Sequence, residues 1–243
     1  MLDAFADALL SVIYPQQCRI CRNSVENRFD GSVCRACWEN TRIFTGTEAL
    51  CGKCGAFFAE MGGDIPNCGN CEGHNYDAAV AVGIYEKALA ASILLMKSEP
   101  HLPPRLSGLL SETVSNPRTK GHTLVIPVPL SRKRLRERGF NQAALLARIV
   151  ARTSNIQIDE ASLIRTVHTP KHRVAMDQKA RERTVKNAFE VVRPKLIEGQ
   201  SVLLVDDVFT SGATASNCAK VLKENGASRV VVLTLARAVS RMY

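Results

Sequence analysis

The chain has 243 residues, 46% of them hydrophobic, which suffices for one large domain or one ordinary domain with a small accessory. It contains no run of about 18 apolar residues, so a protein inserted into the membrane by a helix is excluded. A formal net charge of +9 favours polyanionic partners, either a phosphorylated small molecule or nucleic acid. A basic protein without a dedicated nucleic-acid surface is the alternative.

The first segment, residues 1–14, has apolar residues at helical spacing and is predicted to be a short helix that Pro15 ends. It carries Asp3 and Asp7, and it has neither a basic region nor a small-residue cleavage site. These features argue against a targeting signal, so we expect a cytoplasmic protein.

Eight of the nine cysteines form four CxxC pairs, and the turn within each pair lets two thiolates converge on one ion. A disulfide framework would need an oxidising compartment, which the N-terminus argues against. We predict two structural zinc ions (Zn²⁺) bound by successive ribbons, with a cross-braced pairing as the open alternative. His74 is expected at the surface. The predicted metal ligands are Cys18, Cys21, Cys34 and Cys37 for one ion, and Cys51, Cys54, Cys68 and Cys71 for the other.

A second domain is predicted over residues 76–243, after a first domain of residues 1–75 with the helix and the double zinc ribbon. Its strands are expected at residues 76–85, 123–128, 163–166, 188–192, 202–205 and 230–235, and its helices at 88–96, 106–114, 143–153 and 213–224. Lys97 ends the first of these helices. Because strands and helices alternate from residue 123 onward, we predict an α/β fold with a doubly wound parallel sheet.

A basic segment directly follows the strand at residues 123–128. It contains Arg132, Lys133, Arg134, Arg136 and Arg138, and the sequence GFNQ comes next. Five cations at a strand end favour an anion there, and a solvated basic helix face is the alternative. A second basic stretch at residues 165–183 lies between two predicted strands.

The stretch at residues 201–216 joins an apolar strand to two carboxylates and a hydroxylated loop. Asp206 and Asp207 are expected at the carboxyl end of the strand, where ligands bind in α/β sheets. The loop leads into a helix, so its N–H groups and hydroxyls can bind a phosphate. Its residues are Thr210, Ser211, Gly212, Ala213 and Thr214. Adjacent carboxylates would repel that phosphate unless they accept from the hydroxyls of an attached sugar; a strand and turn without ligand is the alternative.

The sequence VLLVDDVFTSGAT resembles the signature of type I phosphoribosyltransferases, which bind phosphoribosyl pyrophosphate (PRPP). The resemblance implies that Asp206 and Asp207 hold the ribose hydroxyls at the catalytic centre and that the loop holds the 5′-phosphate. It also implies a mobile basic loop that covers the diphosphate and excludes water. Purine-salvage members carry an Asp where this chain has Thr210, so hypoxanthine and guanine are not expected as substrates.

Three further strings extend the resemblance over nearly the whole chain. The four CxxC pairs, VPLSRKRLRERGFNQ, TPKHRVAMDQKARERTVKNAF and the phosphate-loop stretch together resemble the ComF family. That family implies a double zinc ribbon, a phosphoribosyltransferase domain, PRPP bound with Mg²⁺ and a link to competence and DNA uptake. It usually has Gln where this chain has His172. The implied PRPP-binding residues beyond the loop are Arg132, Lys133, Arg136, Arg138, Asn141, Gln142 and His172.

The sequence is compatible with three functions. The first is an enzyme that transfers the phosphoribosyl group to an acceptor that no residue identifies. The second is a PRPP- or nucleotide-sensing protein that binds single-stranded DNA, although 5% aromatic residues is little for a base-stacking surface. The third is a module that bridges other DNA-uptake proteins. The sequence does not fix the oligomeric state.

Overall fold

The computed structural model describes residues 16–58, 67–166 and 188–239. The predicted N-terminal helix and most of the second basic stretch, including His172, lie outside them. The helices are α1 (Arg35–Glu39), α2 (Lys87–Met96), α3 (Pro104–Val114), α4 (Arg132–Arg138), α5 (Gln142–Ser154) and α6 (Ala213–Glu224). The strands are β1 (Ala78–Ile84), β2 (Leu124–Pro127), β3 (Gln157–Ile158), β4 (Leu163–Arg165), β5 (Phe189–Val191), β6 (Ser201–Phe209) and β7 (Arg229–Arg237).

A five-stranded sheet in the order β1-β7-β6-β2-β3 forms the centre of the fold, and every pair in it is parallel. Its middle strands are continuous apolar runs because helices cover both faces. Leu203 and Val205 belong to a core shared with α2, α3 and α5, whereas Val202 and Leu204 belong to a core shared with α6. The predicted doubly wound parallel sheet is therefore confirmed. Cys218 of α6 is fully buried, as expected of a small apolar side chain.

β4 and β5 do not join the parallel sheet, contrary to the prediction. They pair with each other in antiparallel fashion, with Leu163 opposite Val191 and Arg165 opposite Phe189. Only four residues separate β3 from β4, and a parallel return to the same sheet needs a crossover of about a dozen residues or more. The chain therefore starts a separate small sheet at this point.

The zinc-ribbon segment covers the outer edge of the sheet along β1. The backbone N–H of Phe44 donates to the carbonyl of Val82 at 2.9 Å, and the N–H of Ala79 donates to the carbonyl of Lys53 at 2.7 Å. A Cβ at Gly83 would lie 2.3 Å from the carbonyl oxygen of Arg42, so only glycine permits this approach. These contacts pair backbone groups that an exposed edge strand would leave open. A domain boundary at residues 75 and 76 stays a prediction.

None of the helices in the described ranges combines the length and the apolar character needed to cross a bilayer.

Candidate functional site

The acidic pair lies inside β6, two residues before its end, and not after the strand as predicted. β2 stops where Pro127 pairs with Val205, but β7 continues alongside and pairs Asp206 with Thr234 and Phe209 with Arg237. The pairing with β7 therefore extends β6 past its other neighbour. The two aspartates lie on the part of the strand that projects beyond β2.

A lysine from a distant helix reaches the acidic pair. The ammonium of Lys97, directly after α2, lies 3.2 Å from Oδ2 of Asp207, and the backbone N–H of Asp207 donates to Oδ1 of Asp206 at 2.9 Å. The sequence shows Lys97 only as the end of a helix, a place where a lysine is ordinary. Its role at this site was missed because the contact spans more than a hundred residues of sequence.

Asp206 is held in surroundings that favour its neutral form. Burial raises the pKa of this carboxyl well above its ordinary value, and the adjacent charge of Asp207 raises it further. Lys97 acts in the opposite direction, but more weakly. A cation or hydrogen-bond donors from a ligand would favour the ionised form of Asp206.

Arg165 of β4 is a half-buried cation that interacts electrostatically with Asp206. Burial lowers the pKa of its guanidinium, as does the nearby charge of Arg134, whereas the charge of Asp206 acts to raise it. The guanidinium also lies over the ring of Phe189, 5.2 Å from the ring centre. The sequence placed Arg165 only at the edge of a basic stretch, so its place in a cavity that Arg132 and Asn141 also line is a finding of the structure.

The predicted phosphate loop has the geometry of a turn into a helix. Gly212, directly before α6, has φ 80°, a left-handed conformation that suits glycine. Thr210 is exposed and Ser211 and Thr214 are half-buried, so their hydroxyls reach solvent. The N–H groups of Thr214 and Ala215 belong to the first turn of α6, where no intrahelical acceptor exists. Hydroxyls and N–H groups are thus both available to an anion.

The basic segment forms the short helix α4 beyond the carboxyl end of β2. Arg132, Lys133 and Arg136 are exposed on it. Arg132 also lines a cavity of about 820 Å³ that Asn141 and Arg165 share. Arg132 therefore brings one cation of α4 to this cavity.

Two polar residues after α4 have structural partners. Asn141 accepts from the N–H of Ala143 at 3.2 Å, and its amide donates to the carbonyl of Val128 at 3.1 Å, so it ties the start of α5 to the end of β2. The buried Gln142 accepts from the guanidinium of Arg138 at 2.8 Å. Their contacts with PRPP stay a prediction.

The eight paired cysteines form two clusters in the sequential arrangement, not the cross-braced one. In each cluster the four Sγ atoms lie within 4.8 Å of one another. Sulfur pairs such as Cys21 with Cys34 at 3.6 Å and Cys51 with Cys71 at 3.7 Å match the spacing of about 3.8 Å expected around a tetrahedral zinc with Zn–S bonds of about 2.3 Å. The clusters therefore fit two structural zinc ions.

Backbone N–H groups favour the thiolate form of one cysteine in each cluster. Burial of Cys18 opposes its ionisation, but N–H donors from the backbone outweigh it and lower its pKa to about 6; the same holds for Cys51. Burial and neighbouring thiols instead raise the pKa of Cys37 to about 12 and that of Cys71 to about 11. A cation bound within a cluster would stabilise all four thiolates.

His74 belongs to neither cluster, as expected, and it is only partly exposed. It is half-buried, and its Nδ1 lies 2.7 Å from the hydroxyl oxygen of Tyr76. A Cβ at Gly212 would come within 3.0 Å of its ring. His74 therefore packs against the phosphate loop.

Relatives of the chain cover almost its whole length. Residues 9–72 match the family model described as double zinc ribbon domain. The DNA utilization protein YhgH of Escherichia coli (strain K12) is 32% identical over 231 residues, which cover 92% of this chain and 97% of that protein. Competence protein F of Haemophilus influenzae is 31% identical over 232 residues, which cover 91% and 97%. The chain belongs to the ComF family.

A solved structure similar to this ComF-family chain is the glutamine PRPP amidotransferase of Bacillus subtilis, complexed with ADP and GMP. It is 19% identical, with a TM-score of 0.36, and the match covers 61% of this chain and 26% of that enzyme. The ComF-family chain therefore spans about a quarter of the length of this structural neighbour, in contrast to its nearly complete overlap with the two relatives above.

Proposed function

We propose that this ComF-family protein binds PRPP together with Mg²⁺ and transfers its phosphoribosyl group to an acceptor. The observation that carries the proposal is the continuous path along β6: an acidic pair within the strand leads after two residues into a hydroxylated turn at the start of the twelve-residue helix α6. That order matches the sugar and the 5′-phosphate of one ligand. The exposed cations of α4, which follows the neighbouring strand β2, supply positive charge for the diphosphate.

In this proposal each group acts on a defined part of PRPP. Asp206 and Asp207 accept from the 2′- and 3′-hydroxyls of the ribose, while Thr210, Ser211 and the N–H groups of α6 donate to the 5′-phosphate. The ammonium of Lys97, 3.2 Å from Oδ2 of Asp207, helps to hold the acidic pair in position. Mg²⁺ bound with the diphosphate would neutralise part of its charge.

The chemical step exchanges one bond at C1′ for another. The bond from C1′ to the diphosphate oxygen breaks and its electron pair leaves with the diphosphate, where Arg132, Lys133 and Arg136 stabilise the added charge. The acceptor forms the new bond to C1′ and loses a proton to solvent. Because the oxocarbenium-like sugar reacts with water, the site has to be covered during this step.

Titration calorimetry with PRPP and Mg²⁺ tests the binding claim. The wild type should bind one PRPP, and a variant with both Asp206→Asn and Asp207→Asn should lose at least tenfold in affinity because it loses the charged acceptors. Glu198→Gln, an exposed carboxyl ahead of β6, is the matched control and should bind as the wild type does. Diphosphate release on the same samples tests turnover, and a wild type that does not bind PRPP would contradict the proposal.

A second candidate function is binding of single-stranded DNA. It is favoured by the exposed basic helix α4 and by relatives whose names refer to DNA utilization and competence. Such binding should weaken steeply with salt, and Arg132→Gln with Arg136→Gln should reduce the salt dependence by about two phosphate contacts. Either function needs eight reduced thiols, so we place the protein in a reducing compartment such as the cytoplasm.

A further inference from the structure

A cavity of about 670 Å³ lies between the second zinc ribbon and the phosphate loop. Its volume is within the range of about 300–1,000 Å³ that small-molecule sites occupy. The ribbon provides one wall through Phe57 and Phe58, and the sheet provides another through Tyr76 and Phe209. Thr210 and Ser211 of the phosphate loop stand at its edge, but neither the acidic pair nor α4 lines it.

The walls of this cavity are unusually aromatic for this chain. Six of the thirteen aromatic residues line it: Phe44, Phe57, Phe58, Tyr76, Tyr85 and Phe209. The rings of Phe44 and Phe57 are stacked with their centres 6.2 Å apart, and Tyr76 meets Phe209 edge to face at 5.6 Å. Low aromatic content argued against base stacking on the sequence alone, but the fold collects nearly half of these rings around one space.

Arg237 gives the cavity a positive group at the end of β7. Its guanidinium lies over Phe209, 4.4 Å from the ring centre, and its Nη2 donates to Sγ of Cys54 at 3.5 Å. Its Nη1 is buried and has no hydrogen-bond partner among the described residues. A buried charged donor without an acceptor is costly, so this group is suited to an anionic ligand.

The remaining polar groups also suit an anion. No carboxylate occurs among the described residues that line the cavity, whereas hydroxyls of Thr210 and Ser211 stand at its edge. Burial raises the pKa of Tyr76 far above its ordinary value, so its hydroxyl stays neutral. Cys54 and Cys71 also line the cavity, but their sulfur atoms belong to the second cysteine cluster. The guanidinium of Arg237 is therefore the charged group that a ligand in this cavity would meet.

We propose that this cavity is a second ligand site, separate from the acidic pair, which binds a nucleoside monophosphate. The planar base lies among the aromatic rings, and the phosphate accepts from the guanidinium of Arg237, which the PRPP site does not use. Stacking on aromatic side chains tolerates any base, so the site selects for a base joined to a phosphate and not for one base. The site does not depend on PRPP binding at Asp206 and Asp207.

Equilibrium titration with AMP, adenosine and ribose 5-phosphate tests the site in the full zinc-loaded chain. AMP should bind with one-site saturation, and the two fragments, which lack either the phosphate or the base, should bind at least tenfold more weakly. Phe57→Leu should weaken AMP about tenfold through lost stacking. Arg237→Gln should weaken AMP about tenfold and leave adenosine unchanged. Phe29→Leu, an exposed phenylalanine of the first ribbon, is the matched control.

Three outcomes would overturn the proposal. The wild type could fail to bind AMP at millimolar concentration. AMP binding could be lost in the Asp206→Asn and Asp207→Asn double variant but kept in Phe57→Leu, which would assign the nucleotide to the acidic pair. A thymidine oligonucleotide could bind through Phe57 while monophosphates do not, which would assign the cavity to single-stranded DNA. The zinc content and melting temperature of each variant distinguish a lost binding site from a lost fold. If the wild type binds AMP but not PRPP, only the proposed function is refuted.

Discussion

Gly212 is the position where a single methyl group should disturb the phosphate loop most. In Gly212→Ala the new Cβ would lie 2.7 Å from Cζ of Phe209 and 3.0 Å from Cε1 of His74, at a φ of 80°. The left-handed backbone costs an L-residue about 1–2 kcal/mol, and overpacking against a buried ring costs about 1–3 kcal/mol more. We therefore expect the unfolding free energy to fall by about 2–5 kcal/mol.

Gly199→Ala separates the two contributions. Gly199 has φ 73°, but a Cβ there would meet nothing within 4 Å, so only the backbone cost of about 1–2 kcal/mol applies. Thermal unfolding followed by circular dichroism should show a larger drop for Gly212→Ala, at roughly 2–4 °C per kcal/mol for a chain of this size. PRPP affinity should fall at least tenfold in Gly212→Ala and stay unchanged in Gly199→Ala. Equal melting temperatures for the two variants would refute the packing account of the loop.

Three further predictions concern the acidic pair and the zinc sites. Lys97→Met should lower the unfolding free energy by about 1–2 kcal/mol, because its ion pair with Asp207 is only partly buried. If Lys97→Met lowers the unfolding free energy equally in an Asp207→Asn background, Lys97 acts by packing and not through the ion pair. Because the folded pKa of Asp206 is raised, wild-type stability should decline from about pH 4 upward until this carboxyl ionises in the folded protein, and then stay level. Asp206→Asn should lack that decline in urea unfolding, and parallel pH profiles would contradict the assignment. Metal analysis should find two zinc ions per chain in the wild type and in the control Cys218→Ser, but one zinc ion in Cys51→Ser. A Cys51→Ser variant that keeps both zinc ions would disprove the ligand sets.

The sequence predicted those parts of the fold that depend on local pattern. The apolar runs of β6 and β7 and the helices α2, α3, α5 and α6 agree closely with expectation, because each has a clear apolar pattern. The short helix α4 was not among the predicted helices. The CxxC spacing also predicted the two cysteine clusters. The two thiols of a CxxC motif lie within four residues, so their proximity does not depend on contacts between distant segments.

What the sequence did not predict depends on contacts between distant segments. The extension of β6 to Phe209 comes from its pairing with β7, and the separate small sheet of β4 and β5 comes from the short connection after β3. Lys97 reaches Asp207 from a helix far from it in sequence, and Arg165 lines the same cavity as Arg132 of α4. The aromatic cavity combines residues 44–58 with residues 209–239, so no window of the sequence contains it.

Phosphorus NMR of PRPP with Mg²⁺ tests the central claim most directly, because it observes the 5′-phosphate and the two diphosphate phosphorus atoms separately. On addition of the wild type, we predict that all three resonances shift or broaden. With Gly212→Ala the effect on the 5′-phosphate should be reduced most, and with Arg132→Gln and Arg136→Gln the effect on the diphosphate should be reduced most. Three resonances that remain unchanged at stoichiometric wild-type protein would contradict a PRPP site at β6 and α6.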